Sequence, residues 1–171
     1  MESQGKLSQR VLLSLGSNID PRVNIREAVR RIGTLADVTP LRVSSLYRSE
    51  RLGDAATTDF HNAAMTILTE ISPDALLTAL NAIEHELGRV RTVRWGDRTI
   101  DIDIILFGDI RMDTPRLTIP HPGFRTRPFV LLPSIEIDPT FHDIDGTPFT
   151  ELLQHAVGRC ERLEGTSPPL F

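Results

Sequence analysis

Asp101 and Asp103 stand one residue apart inside residues 99–107 (TIDIDIILF), a run that alternates polar and apolar side chains as a β-strand does. Successive side chains of a strand point to opposite faces, so Ile100, Ile102, Ile104 and Leu106 are expected on one side and Thr99, Asp101 and Asp103 on the other. Two carboxylates then share a face about 7 Å apart at their Cα atoms. Their repulsion is relieved by hard cations, and the spacing suits two divalent ions roughly 3.5–4 Å apart that bridge phosphate oxygens. The alternative is a solvated edge strand bearing two surface acids, because D-x-D by itself is short and common.

Arg89, Arg91, Arg94 and Arg98 lie between Gly88 and Ile100, on a loop that runs straight into the aspartate strand. Planar guanidinium groups bind phosphate oxygens bidentately and stabilise charge on a transferring phosphoryl group. Trp95 and Gly96 give the same loop a flat apolar surface and a hinge, as a closing flap would need. Standing alone, such a loop reads more readily as a solvated basic segment with surface ion pairs, and the neighbouring D-x-D shifts the weight toward a polyphosphate site. The chain contains no G-x-x-x-x-G-K-[ST] loop and no protein-kinase signature, which excludes both of those phosphate-binding classes.

Phe60 and Asn62, two apart on an expected strand, face one side. There a ring can stack on a flat heterocycle while the amide offers a donor and an acceptor to its edge. Core packing for Phe60 and a loop-satisfying role for Asn62 are the competing readings. His121 is held between Pro120 and Pro122 in an extended loop that leads to Arg125, Arg127 and Phe129, where it can donate to a phosphate or remain a plain surface histidine.

The elements that must position these groups follow from pattern. Residues 10–16 form a short apolar strand closed by Gly16, Ser17 and Asn18. Ile25, Ala28, Val29 and Ile32 repeat at helical spacing, with Gly33 at the end. Residues 38–47 and 60–69 read as two strands flanking a long polar loop. Ser72 and Pro73 open a second helix whose Leu76, Leu80, Ile83 and Leu87 repeat, and Gly88 closes it. Strand, helix, strand, strand, helix, strand predicts an α+β, ferredoxin-like antiparallel sheet with helices packed on it. Short C-terminal helices are expected near 125–132 and 149–158. A flexible segment 1–9, one domain over 10–158 and a flexible tail 159–171 complete the expected organisation.

The chain has 171 residues, 40% hydrophobic and 25% charged, an ordinary composition for one globular domain. A net charge of −4 argues against a nucleic-acid-binding surface, and the paired aromatic strand motif of an RNA-recognition module is lacking. The lone Cys160 can form no internal disulfide. No apolar run reaches the ~20 residues of a membrane span and no signal peptide is seen, so a cytoplasmic address without a membrane partner is expected. A monomer is the default expectation.

Taken together, Leu13-Ser14-Leu15-Gly16-Ser17-Asn18, Phe60-His61-Asn62-Ala63-Ala64, Gly88-Arg89-Val90-Arg91, Arg94-Trp95-Gly96-Asp97-Arg98-Thr99-Ile100-Asp101-Ile102-Asp103 and Leu117-Thr118-Ile119-Pro120-His121-Pro122 strongly resemble 6-hydroxymethyl-7,8-dihydropterin pyrophosphokinase of folate synthesis. The resemblance covers residues 10 to 140 in the family's order. It implies transfer of pyrophosphate from ATP to hydroxymethyl dihydropterin, giving AMP. It implies two Mg2+ ions on Asp101 and Asp103, with Arg89, Arg98, Asp101 and Asp103 as the catalytic set. Triphosphate contacts fall to Arg89, Arg91, Arg98 and His121, and further ATP contacts to Glu84, Thr118 and Arg127. The pterin falls to Asn62, with Phe60 and Phe129 on its faces and Trp95 closing over it. No general base is assigned, Asp103 being the nearest carboxylate. Arg51 stands near Gly53 where many members have proline, so a relative acting on another pterin is the rival reading, and Pro122 replaces a tyrosine that some members use near a phosphate.

Overall fold

A computed structural model describes residues 7–50, 56–89 and 96–165. Arg51, Gly53, Arg91, Arg94 and Trp95, singled out above, lie outside these described residues. The chain runs β1 (Gln9–Ser17), α1 (Pro21–Ile32), β2 (Val38–Val43), β3 (Tyr47–Ser49), β4 (Phe60–Thr69), α2 (Pro73–Glu86) and β5 (Asp101–Phe107). It continues through β6 (Met112–Asp113), β7 (Thr118–Ile119), a 3-10 turn (Phe124–Thr126), α3 (Pro128–Ile137), α4 (Phe149–Gln154) and β8 (Cys160–Arg162). The main sheet has six strands in the order β5-β1-β4-β3-β8, with β2 also paired to β4. Every pairing in it is antiparallel, and β2 with β3 fills the place of one ferredoxin-like edge strand. Among the described residues no helix is long and apolar enough to cross a membrane.

Helix α1 forms where the spacing predicts, and Ile25, Ala28, Val29 and Ile32 are its buried face. Ser72 caps α2 by accepting from the Ala75 N–H at 3.3 Å, and Pro73 takes the first turn, where its missing N–H costs nothing. At the other end Gly88 has φ +80°, a left-handed turn that stops the helix and points the chain at the aspartate strand. These two helices cover one face of the sheet, packing on Leu13, Leu15, Met65, Ile67, Ile102 and Ile104. The other face carries Leu12, Ala64 and Ile105 beneath α3, α4 and the rings of Phe124, Phe141 and Phe149. Fully burying one Leu, Ile or Phe side chain contributes roughly 1.5–3 kcal/mol, so each layer is a substantial core.

Three features depart from the pattern-based expectation. A bulge in β5 leaves Ile105 without a partner between the Leu13–Ile104 and Leu12–Leu106 pairs. It turns Leu106 to the opposite face from Ile102 and Ile104, correcting the strict alternation expected of that strand. The predicted strand 38–47 is broken at Ser44, whose N–H still donates to the Ala64 carbonyl at 2.9 Å while its hydroxyl accepts from the Ala64 N–H at 2.9 Å. Ser45 then turns its N–H to Glu136 Oε1 at 3.0 Å. The tail expected to be flexible from 159 contains β8, which pairs with β3.

Candidate active site

Asp101 and Asp103 sit opposite Gly16 and Ser14 of β1 and open together onto the same cleft, as alternation requires at that end of β5. Asp101 is already bound by two guanidinium groups. Arg89 Nη1 lies 2.7 Å from its Oδ1, and Arg98 Nη1 pairs with its Oδ2. Arg89 also pairs with Glu84, a buried side chain of α2 whose Oε1 accepts from the Ile102 N–H at 2.7 Å. Glu84 therefore ties the end of α2, the arginine and the aspartate strand into one unit. Burial raises the Glu84 carboxyl above its ordinary range, and that cost is offset by Ile102 and Arg89. Burial and the like charges of Asp101 and Glu84 push Asp103 up to about 7.

The return of the arginine loop is anchored by Asn18, which follows β1. Its Oδ1 accepts from the Arg98 N–H at 2.7 Å, and its Nδ2 donates to Asp97 Oδ1 at 2.6 Å. Asp97 in turn accepts from the Thr57 N–H and hydroxyl, each at 2.8 Å. These bonds, with that from Asn18, hold the Asp97 carboxyl below its ordinary range. In the sequence Gly16-Ser17-Asn18 reads as a strand-ending turn within the first block of the family resemblance, with no role for Asn18 in the site. The signal was an asparagine placed directly after a buried strand, and its partners 40 and 80 residues away could not be read from the chain.

Two cavities meet at the aspartates. The smaller, about 610 Å³, is lined by Ser49, Glu50, Phe60, Asn62 and Phe129, together with Gly16. Asn62 is 3% exposed, and its Nδ2 donates to Ser49 Oγ at 2.8 Å, which fixes the amide and leaves its oxygen toward Gly16. A side chain at Gly16 would lie 3.2 Å from that oxygen, so glycine keeps the wall open. The larger cavity, about 1230 Å³, is lined by Glu84, Arg89, Thr118 and His121, with Asn81 and Arg116 beyond them. Arg98, Asp101, Asp103 and Arg127 line both.

His121 Nδ1 accepts from the Gly123 N–H at 3.1 Å, so the neutral ring carries its proton on Nε2, 3.8 Å from Asp103 Oδ2. Burial, with the nearby Arg127 charge, lowers the pKa of this histidine and favours that neutral donor. Arg127 lies over the Phe129 ring at 5.8 Å. It also fills the space beside Gly123, where a Cβ would come within 2.7 Å of its Nη2. Thr118 spends its hydroxyl on Asp113 Oδ1 at 3.0 Å while lining the larger cavity. The fold thus brings together Phe60, Asn62, Glu84, Arg89, Arg98, Asp101, Asp103, Thr118, His121, Arg127 and Phe129.

Residues 12–139 match the family model for 7,8-dihydro-6-hydroxymethylpterin-pyrophosphokinase (HPPK). The chain belongs to the HPPK family. It is 44% identical over 146 residues to the 2-amino-4-hydroxy-6-hydroxymethyldihydropteridine pyrophosphokinase of Pseudomonas aeruginosa, covering 85% of this chain and 90% of that one. The proteins of the same name from Synechocystis and Bacillus subtilis are 41% and 44% identical, covering 77% and 73% of this chain and 68% and 75% of theirs. Among solved structures, the wild-type HPPK-DHPS of Plasmodium falciparum with pterin and p-hydroxybenzoate superimposes with a TM-score of 0.67 at 16% identity. That likeness covers 89% of this chain and shows the fold, and the chain spans less than half, 44%, of that longer protein. The HPPK match runs from within β1 through α3 and takes in every residue that lines the two cavities.

Proposed function

We propose that this chain transfers the pyrophosphoryl group of ATP to 6-hydroxymethyl-7,8-dihydropterin, giving AMP and the pterin pyrophosphate in folate biosynthesis. Membership of the HPPK family supports the reaction. The observation that carries its assignment to these residues is that a ring-sized slot and a wide cationic cleft share Arg98, Asp101, Asp103 and Arg127 as a common wall. Two reactants held on either side of one wall meet without a bimolecular search. In this reading the pterin occupies the smaller cavity, with Asn62 on its edge and Phe60 and Phe129 on its faces. ATP occupies the larger.

The donor set fits magnesium. Mg2+ is commonly held by one or two carboxylates plus substrate phosphates, and Asp101 and Asp103 offer two hard oxygen donors facing the wide cavity lined by Arg89, Arg98, His121 and Arg127. Two ions on Asp101 and Asp103 would neutralise phosphate charge and acidify the attacking hydroxyl. The chain's own groups do the rest. Arg89 and Arg98 exchange their aspartate partner for phosphate oxygens, and the His121 Nε2–H donates to the same chain of phosphates. The hydroxymethyl oxygen forms a bond to the β-phosphorus, and the α,β-bridging bond breaks toward AMP. The hydroxyl proton leaves into the cleft, where Asp103 is the nearest carboxylate.

Glu84 serves in this account by holding Arg89 and Ile102. Thr118 and Arg127 remain proposed ATP contacts, and Arg91 and Trp95 are proposed on the family resemblance alone. A monomer is proposed. Dependence on ATP is what supports a cytoplasmic setting.

Incubation with ATP, magnesium and hydroxymethyl dihydropterin, followed by separation of nucleotides, tests the reading. AMP in equal amount to pterin pyrophosphate is expected. ADP would exclude pyrophosphoryl transfer, and AMP formed only with a differently substituted pterin would move the substrate.

A further inference from the structure

β8 lies at Cys160–Arg162, beyond the 12–139 span of the HPPK match, and bears no side chain of either cavity. It nonetheless sits directly behind one wall of the smaller one. Ser49, which accepts from Asn62, and Glu50, which lines the slot, close a strand of only three residues. So short a strand holds its place poorly with an unpaired edge. β8 pairs that edge residue by residue, Tyr47 with Arg162, Arg48 with Glu161 and Ser49 with Cys160. The ladder runs past both ends of β3, where the Glu50 N–H donates to the Arg159 carbonyl at 3.4 Å and the Leu163 N–H to the Leu46 carbonyl at 2.8 Å.

Side chains lock the same unit from a second direction. Arg162 Nη2 donates to Ser45 Oγ at 2.9 Å, and its Nε lies 3.9 Å from Glu136 Oε2. Glu136 on α3 accepts from the Ser45 hydroxyl at 2.8 Å and from the Tyr47 hydroxyl at 2.7 Å. The residues that precede Ser49 are therefore clamped between β8 and α3, while Ser49 itself orients the amide that reads the ring.

We infer that β8 is a positioning element for the heterocycle, with Arg162 and Leu163 fixing β3 so that Ser49 holds the Asn62 amide in its binding orientation. The inference rests on the pterin reading of the smaller cavity. A site of this kind needs its polar groups held to within about 0.5 Å, and nothing else among the described residues pairs the outer edge of β3.

The test uses the full-length chain with Arg162→Ala, Arg162→Lys and Leu163→Pro, the last removing the N–H that bonds Leu46. Binding of hydroxymethyl dihydropterin and of a non-hydrolysable ATP analogue is measured by calorimetry, with thermal unfolding as the fold control. The expected result is pterin affinity weakened roughly tenfold in Arg162→Ala and Leu163→Pro, with nucleotide affinity kept and Arg162→Lys partly restored. Should Leu163→Pro not fold, the Arg162 pair decides alone. Unchanged pterin affinity in a folded Arg162→Ala overturns the inference, and so does equal weakening of both ligands. Failure of the unsubstituted chain to bind the pterin would instead strike the reading of the cavity itself.

Discussion

The two cavities that meet at Asp101 and Asp103 are built on different principles. The smaller is walled by strands: β3 and β4 supply Ser49, Phe60 and Asn62, and the critical amide is pinned by a buried hydrogen bond. The larger is walled by the end of α2 and the loops around β6 and β7, and its active groups are charges. Those charges satisfy one another, Arg89 and Arg98 both resting on Asp101. A flat ring is best recognised by a wall that does not move. A triphosphate is best recognised by cations whose present partners can be exchanged. The contrast predicts that substitutions on one side leave the other's ligand largely untouched, except at the shared wall.

Arg89→Ala should have the largest effect of the side-specific changes. It removes a proposed phosphate contact and breaks the ion pair that Arg89 makes with Glu84, 2% exposed. Activity as kcat/KM should fall on the order of a hundredfold or more, and stability by about 3 kcal/mol, read by steady-state kinetics and denaturant unfolding. Pterin binding should survive in the fraction that folds. Asn62→Ala should do the converse, raising KM for the pterin roughly tenfold to a hundredfold while KM for ATP stays within twofold. A matched loss for both substrates in either variant would abolish the distinction between rigid and exchangeable walls.

The smallest effect is expected far from both cavities. Asp138 is held down from 3.8 to about 2 by the Thr140 hydroxyl and by Arg10. Its folded value lies below its unfolded one, so its stabilisation is complete above about pH 4 and is lost as the pH falls through about 2. Asp138→Asn should flatten the acid limb of a melting profile between those limits and change neither KM.

What the chain revealed in advance depended on whether the physics was local. Helix α1 and the capped start of α2 could be read because 3.6-residue periodicity and an N-cap serine are properties of adjacent residues. Asp101 and Asp103 were placed on one face by the pleat alone. The bulge at Ile105 was hidden because the run from Ile104 to Phe107 is apolar throughout and carries no alternation to lose. The break after Val43 depends on Glu136, 91 residues beyond Ser45, and a polar triplet such as Cys160-Glu161-Arg162 becomes a strand only by finding the edge of β3. Cys160 itself is half-buried, and burial pushes its thiol up to about 12, in keeping with an ordinary reduced side chain. Asn18 and Glu84 work as tethers for the same reason that they were hard to interpret, since each joins segments distant in sequence.

The shared wall is where the whole account stands or falls, and metal stoichiometry probes it most directly. Manganese, a paramagnetic substitute for magnesium, can be counted by electron paramagnetic resonance in the presence of a non-hydrolysable ATP analogue. Two ions per chain are predicted for the unsubstituted protein, and loss of both in a folded Asp101→Asn, Asp103→Asn double variant. A double variant that binds the same number of ions as tightly as before would show that these carboxylates do not hold the metal.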